Sequence, residues 1–353
     1  NNYMSRVVLR ESYGNVCKLL LNRPKNLNAL NFDLAQALDH DITFAEKYSQ
    51  KIILASTSER AFQAGADLYH LLSTCNDIPN WVGYSYNVIK RLYRHPFETL
   101  SIWQGHIIGY GVGLGMACKY SLALPSTLWC MPEHYIGVVP DAGCSHLLSH
   151  LKDEAYGLYL FLTSHRISGI DCYYSGICTN YTRPENLPHI LREIEENQNS
   201  IENILNKYEC EPEKELSRYL KHKDEIKEAF TNPNSIEEIL EKLENNSTEF
   251  STETANEIRH LCPLSVRMAL EHFKSGKQRT FLESLDSDFF LDCNLMTYKN
   301  QNFTIGVTAK MIEKSNARPN WVPNSLSEVT YDMVLDHLTI AKKPELNFMT
   351  QQS

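Results

Sequence analysis

Met131-Pro132-Glu133-His134-Tyr135-Ile136-Gly137-Val138-Val139-Pro140-Asp141-Ala142-Gly143 is the stretch on which the reading of this chain turns. It sets two carboxylates eight residues apart, flanked by prolines and glycines among apolar neighbours. A carboxyl half-buried in such surroundings has a raised pKa and can exchange protons with water or substrate. Taken alone, Glu133 and Asp141 would serve equally well as caps for turns or helices.

Upstream runs Gly105-His106-Ile107-Ile108-Gly109-Tyr110-Gly111-Val112-Gly113-Leu114. Glycines that open a helix expose backbone N–H groups and aim the positive end of its dipole at a ligand. Helix–strand packing through glycine is the plainer account. The run does not fit the dinucleotide fingerprint, which belongs after the first strand of a βαβ unit. Further back, Ala61-Phe62-Gln63-Ala64-Gly65-Ala66-Asp67 follows a strand and a short loop. Its small residues let a ligand approach the backbone and leave the Ala66 N–H as a donor, although a tight turn would look the same. One amide from each segment would make an oxyanion hole, in which a single donor is worth roughly 2.7–4 kcal/mol.

The first 180 or so residues alternate short apolar runs with helical patterns, the rhythm of βα units. Strands are expected at Val16 to Leu21, Lys51 to Ser56, Thr99 to Gln104 and Tyr120 to Leu124. Asn31 should cap a helix with Leu34, Leu38, Ile42 and Ala45 inward, and a short helix should span Val112 to Cys118. Asp153 to Ser164 reads as a buried helix carrying Tyr156, Leu160 and Phe161. Beyond Pro184 the chain turns rich in Glu, Lys and Asn with helical apolar spacing, as in Ile201, Ile204, Leu205 and Tyr208. Those helices read as amphipathic and solvated, or as a partner surface. Ser235 with Glu238 predicts a capping box. Further helices are expected at Leu264 to Lys274, stopped by Gly276, and at Thr280 to Tyr298. The organisation expected is 1–183 as a core with the reactive site and 184–353 as a helical C-terminal region.

The 353 residues, 42% hydrophobic and 22% charged, suffice for a substantial core. No run of 18 apolar residues suggests a membrane span. A net charge of −9 argues against direct, sequence-specific nucleic-acid binding, but not against a place at the edge of a nucleoprotein assembly. Ten cysteines without a C-x-x-C pair read as reduced thiols. His146 and His150 stand one helical turn apart but lack a third metal ligand nearby, so no metal is expected. The opening residues show neither a secretory nor a transit pattern, and a start at Asn1 fits a presequence already removed.

In this order the three segments resemble the crotonase (enoyl-CoA hydratase/isomerase) superfamily, and more narrowly its 3-hydroxyisobutyryl-CoA hydrolase branch. Leu21-Asn22-Arg23-Pro24-Lys25-Asn26-Leu27-Asn28-Ala29-Leu30 is similar to the family's L-N-R-P-x-x-x-N-A-L. The tail agrees as well, in Asn302-Phe303-x-x-Gly306-Val307-x-Ala309 and Pro319-Asn320-Trp321-Val322-Pro323. The resemblance implies an α/β crotonase (ClpP-like) spiral of repeated ββα units with a helical C-terminal region. It implies hydrolysis of a CoA thioester, with no cofactor beyond the coenzyme A of the substrate. Glu133 would attack or activate water, and Asp141 would assist proton transfer or bind the substrate hydroxyl. Gly113 stands where hydratases carry the first of their two glutamates, so water addition is not expected. Ala66 and Tyr110 fall at the oxyanion-hole positions, and Lys25, Ala64 and Asp67 at coenzyme A-binding positions.

Several positions depart from the pattern. Tyr110 replaces the middle glycine of the family's M-G-G-G-V-G-L run, which puts a ring where the thioester should pass and strain there if φ is positive. Ser85 falls where the hydrolases carry a substrate-contacting glutamate. Ile305-Gly306-Val307-Thr308-Ala309 replaces E-G-x-R-A, and Cys144, Ser145 and His146 stand where small residues are common. Two outcomes stay open: a hydrolase with a reshaped pocket, or an impaired homologue recruited for its shape, as in a hydrolase-like protein of mitochondrial small ribosomal subunits. The resemblance implies a mitochondrial matrix address. The expected partners are acyl-CoA, further copies of the chain or mitochondrial ribosomal proteins, and no membrane.

Overall fold

A computed structural model of the chain describes residues 6–73, 78–196, 199–296 and 300–339. It divides into two compact units, the first drawn from Asn1–Asp67, Tyr84–Cys130 and Arg166–Leu220, the second from Leu68–Gly83, Met131–His165 and Lys221–Ser353.

Among the described residues the first unit holds ten strands: β1 (Val8–Tyr13), β2 (Val16–Leu21), β3 (Lys51–Ser56), β4 (Ala61–Ala64), β5 (Glu98–Trp103), β6 (His106–Ile108), β7 (Tyr120–Ala123), β8 (Leu128–Cys130), β9 (Ile167–Ser168) and β10 (Asn180–Tyr181). They form a six-stranded sheet in the order β1-β2-β3-β5-β7-β10 and a four-stranded sheet in the order β4-β6-β8-β9. Successive strands therefore alternate: β3, β5 and β7 enter the first sheet, while β4, β6 and β8 enter the second. A helix follows both β4 and β6. This is the expected spiral of ββα turns. All pairings are parallel except β1–β2 and β8–β9.

Local chemistry explains the elements. The Phe32–Tyr48 helix is capped by Asn31, whose side chain accepts from the Leu34 N–H, and buries Leu34, Leu38, Ile42 and Ala45. β3 is buried along Lys51–Ala55, as a strand inside a parallel sheet should be. The glycine-run helix spans Tyr110–Met116, two residues earlier than expected, because Gly109 takes the N-cap with φ +53°.

The first two Glu-, Lys- and Asn-rich helices after Pro184, Leu187–Glu195 and Ile201–Tyr208, cover the six-stranded sheet. Ile190, Ile194, Ile201, Ile204 and Leu205 pack with Val16, Ile53, Leu100, Ile102 and Leu122 in one buried cluster. Each such side chain contributes about 1.5–3 kcal/mol on burial, so these helices are half core and only half solvated.

The second unit is helical. Its Glu154–Thr163 helix is buried from Ala155 to Thr163, and Asp153 caps it by accepting from the Tyr156 N–H. The expected capping box at Ser235 forms by half. Ser235 accepts from the Glu238 N–H, but the Glu238 carboxylate turns to the Asn234 N–H and side chain instead. Thr280 and Glu283 make the complete box, opening the Phe281–Leu295 helix. Tyr298, placed in that helix from its spacing, lies outside the described residues. Gly276 does not stop the preceding helix but ends it from within. A Cβ there would fall 2.5 Å from the Ser145 backbone. Among the described residues no helix is long and apolar enough to cross a membrane.

Candidate active site

The site residues fall into two groups, one in each unit. In the first unit β4 and β6 run parallel with Ala64 paired to Ile108. Two residues past that register stand Ala66, bridged to Leu30, and Tyr110, the first residue of the following helix. Leu30 donates to the Gly65 C=O and accepts from the Asp67 N–H, at 2.8 and 2.9 Å. Neither bond uses the Ala66 N–H, which the alternation of extended backbone turns to the other side. Tyr110 opens its helix, where N–H groups have no intrahelical acceptor.

A polar frame fixes this turn. Gln63, fully buried, holds Gly65 from both sides, donating to its C=O and accepting from its N–H, each at 2.8 Å. A Cβ on Gly111 would fall 2.4 Å from the Gln63 backbone oxygen, which explains a glycine there. Asn28, also fully buried, donates to the Ser56 hydroxyl and to the Ala61 and Phe62 carbonyls, and accepts from the Arg23 N–H at 2.7 Å. Arg23 donates to the Ala29 carbonyl and pairs with Asp67 at 3.0 Å. Asp67, expected at coenzyme A, thus has its carboxylate tied to the loop's own arginine. Lys25 is exposed on the Pro24–Asn26 turn, and Ala64 donates to the Leu27 C=O, so Lys25, Ala64 and Asp67 gather around this loop.

Tyr110 and Ser85, the two departures from the family pattern, are joined. The buried Tyr110 hydroxyl donates to the Ser85 carbonyl at 2.8 Å, which turns the ring toward the Ile78–Arg94 helix. The strain expected of a non-glycine does not arise, because the positive φ falls on Gly109 and not on Tyr110.

In the second unit Glu133 begins a 3-10 turn, Glu133–Ile136, and is 7% exposed; Asp141 is 8% exposed. Burial, and after it the charge of Asp141, pushes the Glu133 carboxyl well above the usual carboxylate range. Its Oε2 is buried without a hydrogen-bond partner. The Cys144 thiol is likewise pushed well up, by burial first and then by the charges of Glu133, Asp141 and Asp288. Glu133 and Asp141 are therefore brought together across their eight-residue spacing.

The support beneath this turn was largely invisible in the sequence. His134, fully buried and lowered to about 4 by burial, donates from Nε2 to the Phe161 C=O at 2.8 Å, and its Nδ1 faces the Ser265 hydroxyl. A histidine so lowered weakens the fold as pH falls from its ordinary 6.5 towards about 4, because the unfolded chain binds the proton first. His134→Gln is expected to flatten the melting temperature over that window, read by scanning fluorimetry. An unchanged slope would show that His134 titrates freely. The tail motif acts at the same turn: Gly137 and Gly306 lie against Asn302 and Ile136, and Asn302 clasps Val322 through two hydrogen bonds of 2.6 and 2.8 Å. His146 and His150 stack at 3.9 Å, and each Nδ1 bonds a backbone carbonyl, Arg279 and His146 respectively, at 2.8 Å.

The sequence model described as Enoyl-CoA hydratase/isomerase matches residues 16–338. The mitochondrial 3-hydroxyisobutyryl-CoA hydrolase of Dictyostelium discoideum is 30% identical over 97% of this chain and 94% of that protein. The human mitochondrial 3-hydroxyisobutyryl-CoA hydrolase is 28% identical over 97% and 90%. The small ribosomal subunit protein mS47 of Arabidopsis thaliana is 28% identical over 92% and 82%. In fold, the chain is similar to a carnitinyl-CoA dehydratase from Mycobacterium thermoresistibile, with a TM-score of 0.88 at 24% identity over 98% of this chain and 100% of that one.

Proposed function

The chain belongs to the enoyl-CoA hydratase/isomerase family, and from that premise we propose that it is a mitochondrial matrix hydrolase of 3-hydroxyisobutyryl-CoA or a closely similar thioester. Its sequence is 3-hydroxyisobutyryl-CoA hydrolase-like over nearly its whole length. The observation that carries the reading is Glu133, a buried carboxyl with an unpartnered oxygen beside a second acid. An unsatisfied buried polar group costs about 1–3 kcal/mol, and carboxyls so perturbed cluster at functional sites.

In the proposed reaction, water adds to the thioester carbonyl, the C–S bond breaks and the thiolate leaves with a proton. The Ala66 and Tyr110 amides stabilise the oxyanion. Two coupled carboxyls share protons as a unit, so one can be the base toward water while the other is the acid. Glu133, whose raised pKa makes it the stronger base once ionised, activates the water; Asp141 relays the proton or holds the substrate hydroxyl. No cofactor is required beyond the coenzyme A of the substrate.

A second reading rests on Tyr110. A buried ring at an oxyanion position, anchored to Ser85, suits a chain that no longer admits a thioester. Such a chain would be a protein-bound component of the mitochondrial small ribosomal subunit, in keeping with the plant relative. Thiol release from 3-hydroxyisobutyryl-CoA by the purified chain separates the two. Turnover is expected; a folded, inactive protein that comigrates with small subunits on a gradient would overturn the hydrolase reading.

A further inference from the structure

Resting on the hydrolase reading, we propose that Asp288 and His272, on two helices of the C-terminal region, are a positioning pair that holds the Asp141 turn in its working conformation. The Asp288 and His272 side chains are 0% and 2% exposed, and His272 Nε2 meets Asp288 Oδ1 at 2.6 Å. The other carboxylate oxygen, Oδ2, accepts the Gly143 N–H at 2.7 Å. A buried carboxylate must have its lone pairs engaged, and here one of the two partners is the backbone two residues beyond Asp141.

The turn needs such a grip. Ala142 and Gly143 lie consecutively in the left-handed region, with φ of +55° and +85°. A non-glycine residue persists there only where its surroundings over-determine it. Gly143 is the N-cap of the Cys144–Ser149 helix, so its own N–H lies outside that helix's bonding. Phe281 closes on the same residue: a Cβ on Gly143 would fall 2.2 Å from its ring. One helix, Phe281–Leu295, therefore holds Gly143 by an aromatic contact and by a carboxylate.

The test compares two variants of the full chain. Asp288→Leu keeps the branched outline of the side chain but leaves the Gly143 N–H and His272 without their acceptor. Asp288→Asn keeps the bond to Gly143 through its Oδ1 and replaces the other by one of reversed direction, its Nδ2 donating to His272 Nε2 in the tautomer that carries its proton on Nδ1. D288L is expected to speed NMR amide exchange at Gly143 by about 10-fold or more while the Pro263–Gly276 helix stays protected. It should also lower kcat about 10- to 100-fold with KM little changed, and D288N should restore both readouts. His272→Leu, which removes only the lateral partner, is the second variant should D288L not fold, with a smaller rise at the same amide. Unchanged Gly143 exchange in D288L, equal losses of kcat in D288L and D288N, or exchange rising along the whole Pro263–Gly276 helix would each overturn the proposal. If the wild-type chain lacks turnover, the hydrolase reading falls by itself, and the working-turn proposal then stands or falls on the Gly143 exchange alone.

Discussion

Glu133→Gln is expected to abolish thioester cleavage and, in the same protein, to raise its melting temperature. The loss follows from removing the group that activates water, a contribution of about 10²–10⁴-fold. The gain follows from burial. Glu133 is pushed above the ordinary carboxylate range by desolvation first and by Asp141 second. A carboxyl with a raised folded-state pKa favours the fold at low pH, and that contribution is lost as pH rises through the raised value. The variant should therefore melt close to wild type in acid and above it at neutral pH, with the gap opening as pH climbs. Glutamine keeps the shape and removes the charge. Scanning fluorimetry from pH 5 to 8, run beside the thiol-release assay, reads both effects. Turnover that survives would remove Glu133 from the mechanism; a constant melting difference across that range would mean that burial does not raise the Glu133 pKa.

Tyr110→Gly is expected to raise binding of a non-hydrolysable thioether analogue of the substrate by about 10-fold or more, by vacating an oxyanion position. It should also destabilise the fold substantially. Tyr110 is 5% exposed and its hydroxyl is bonded to Ser85, and deleting a buried aromatic ring typically costs about 3–5 kcal/mol. Tyr110→Phe is the control: it loses one hydrogen bond, worth about 1 kcal/mol, and keeps the ring, so binding should not improve. Calorimetric titration at a temperature where all three proteins are folded decides the matter. A glycine variant that binds no better than wild type would show that Tyr110 shapes the first unit and does not close the site.

The candidate site was legible to unequal depths. Arg23, Asn28 and Asn302 appeared in the sequence only as letters of a motif. The structure supplies their work, since Asn28 bonds four backbone or hydroxyl groups and Asn302 clasps Val322. Gln63 sat inside a quoted segment without being singled out, because its two bonds to Gly65 depend on a turn that spacing does not reveal. Asp288 and His272 gave no signal, being 145 and 129 residues from Gly143 and spaced like ordinary members of amphipathic helices.

What the sequence by itself determined was local: strand and helix positions, which follow from apolar period and caps. It also carried family membership, because the L-N-R-P and N-F-x-x-G runs keep backbone contacts that tolerate few side chains. Only the tertiary structure decided how the departures combine. Tyr110 and Ser85 lie 25 residues apart and become one feature through a single hydrogen bond. The helices Leu187–Glu195 and Ile201–Tyr208 look solvated in sequence, yet half of each belongs to the core, because an apolar stripe finds its partner only when the sheet beneath it exists. The state of Glu133 was decided there too: a carboxyl's pKa answers to the water and charge around it, and those come from burial and from neighbours that folding assembles.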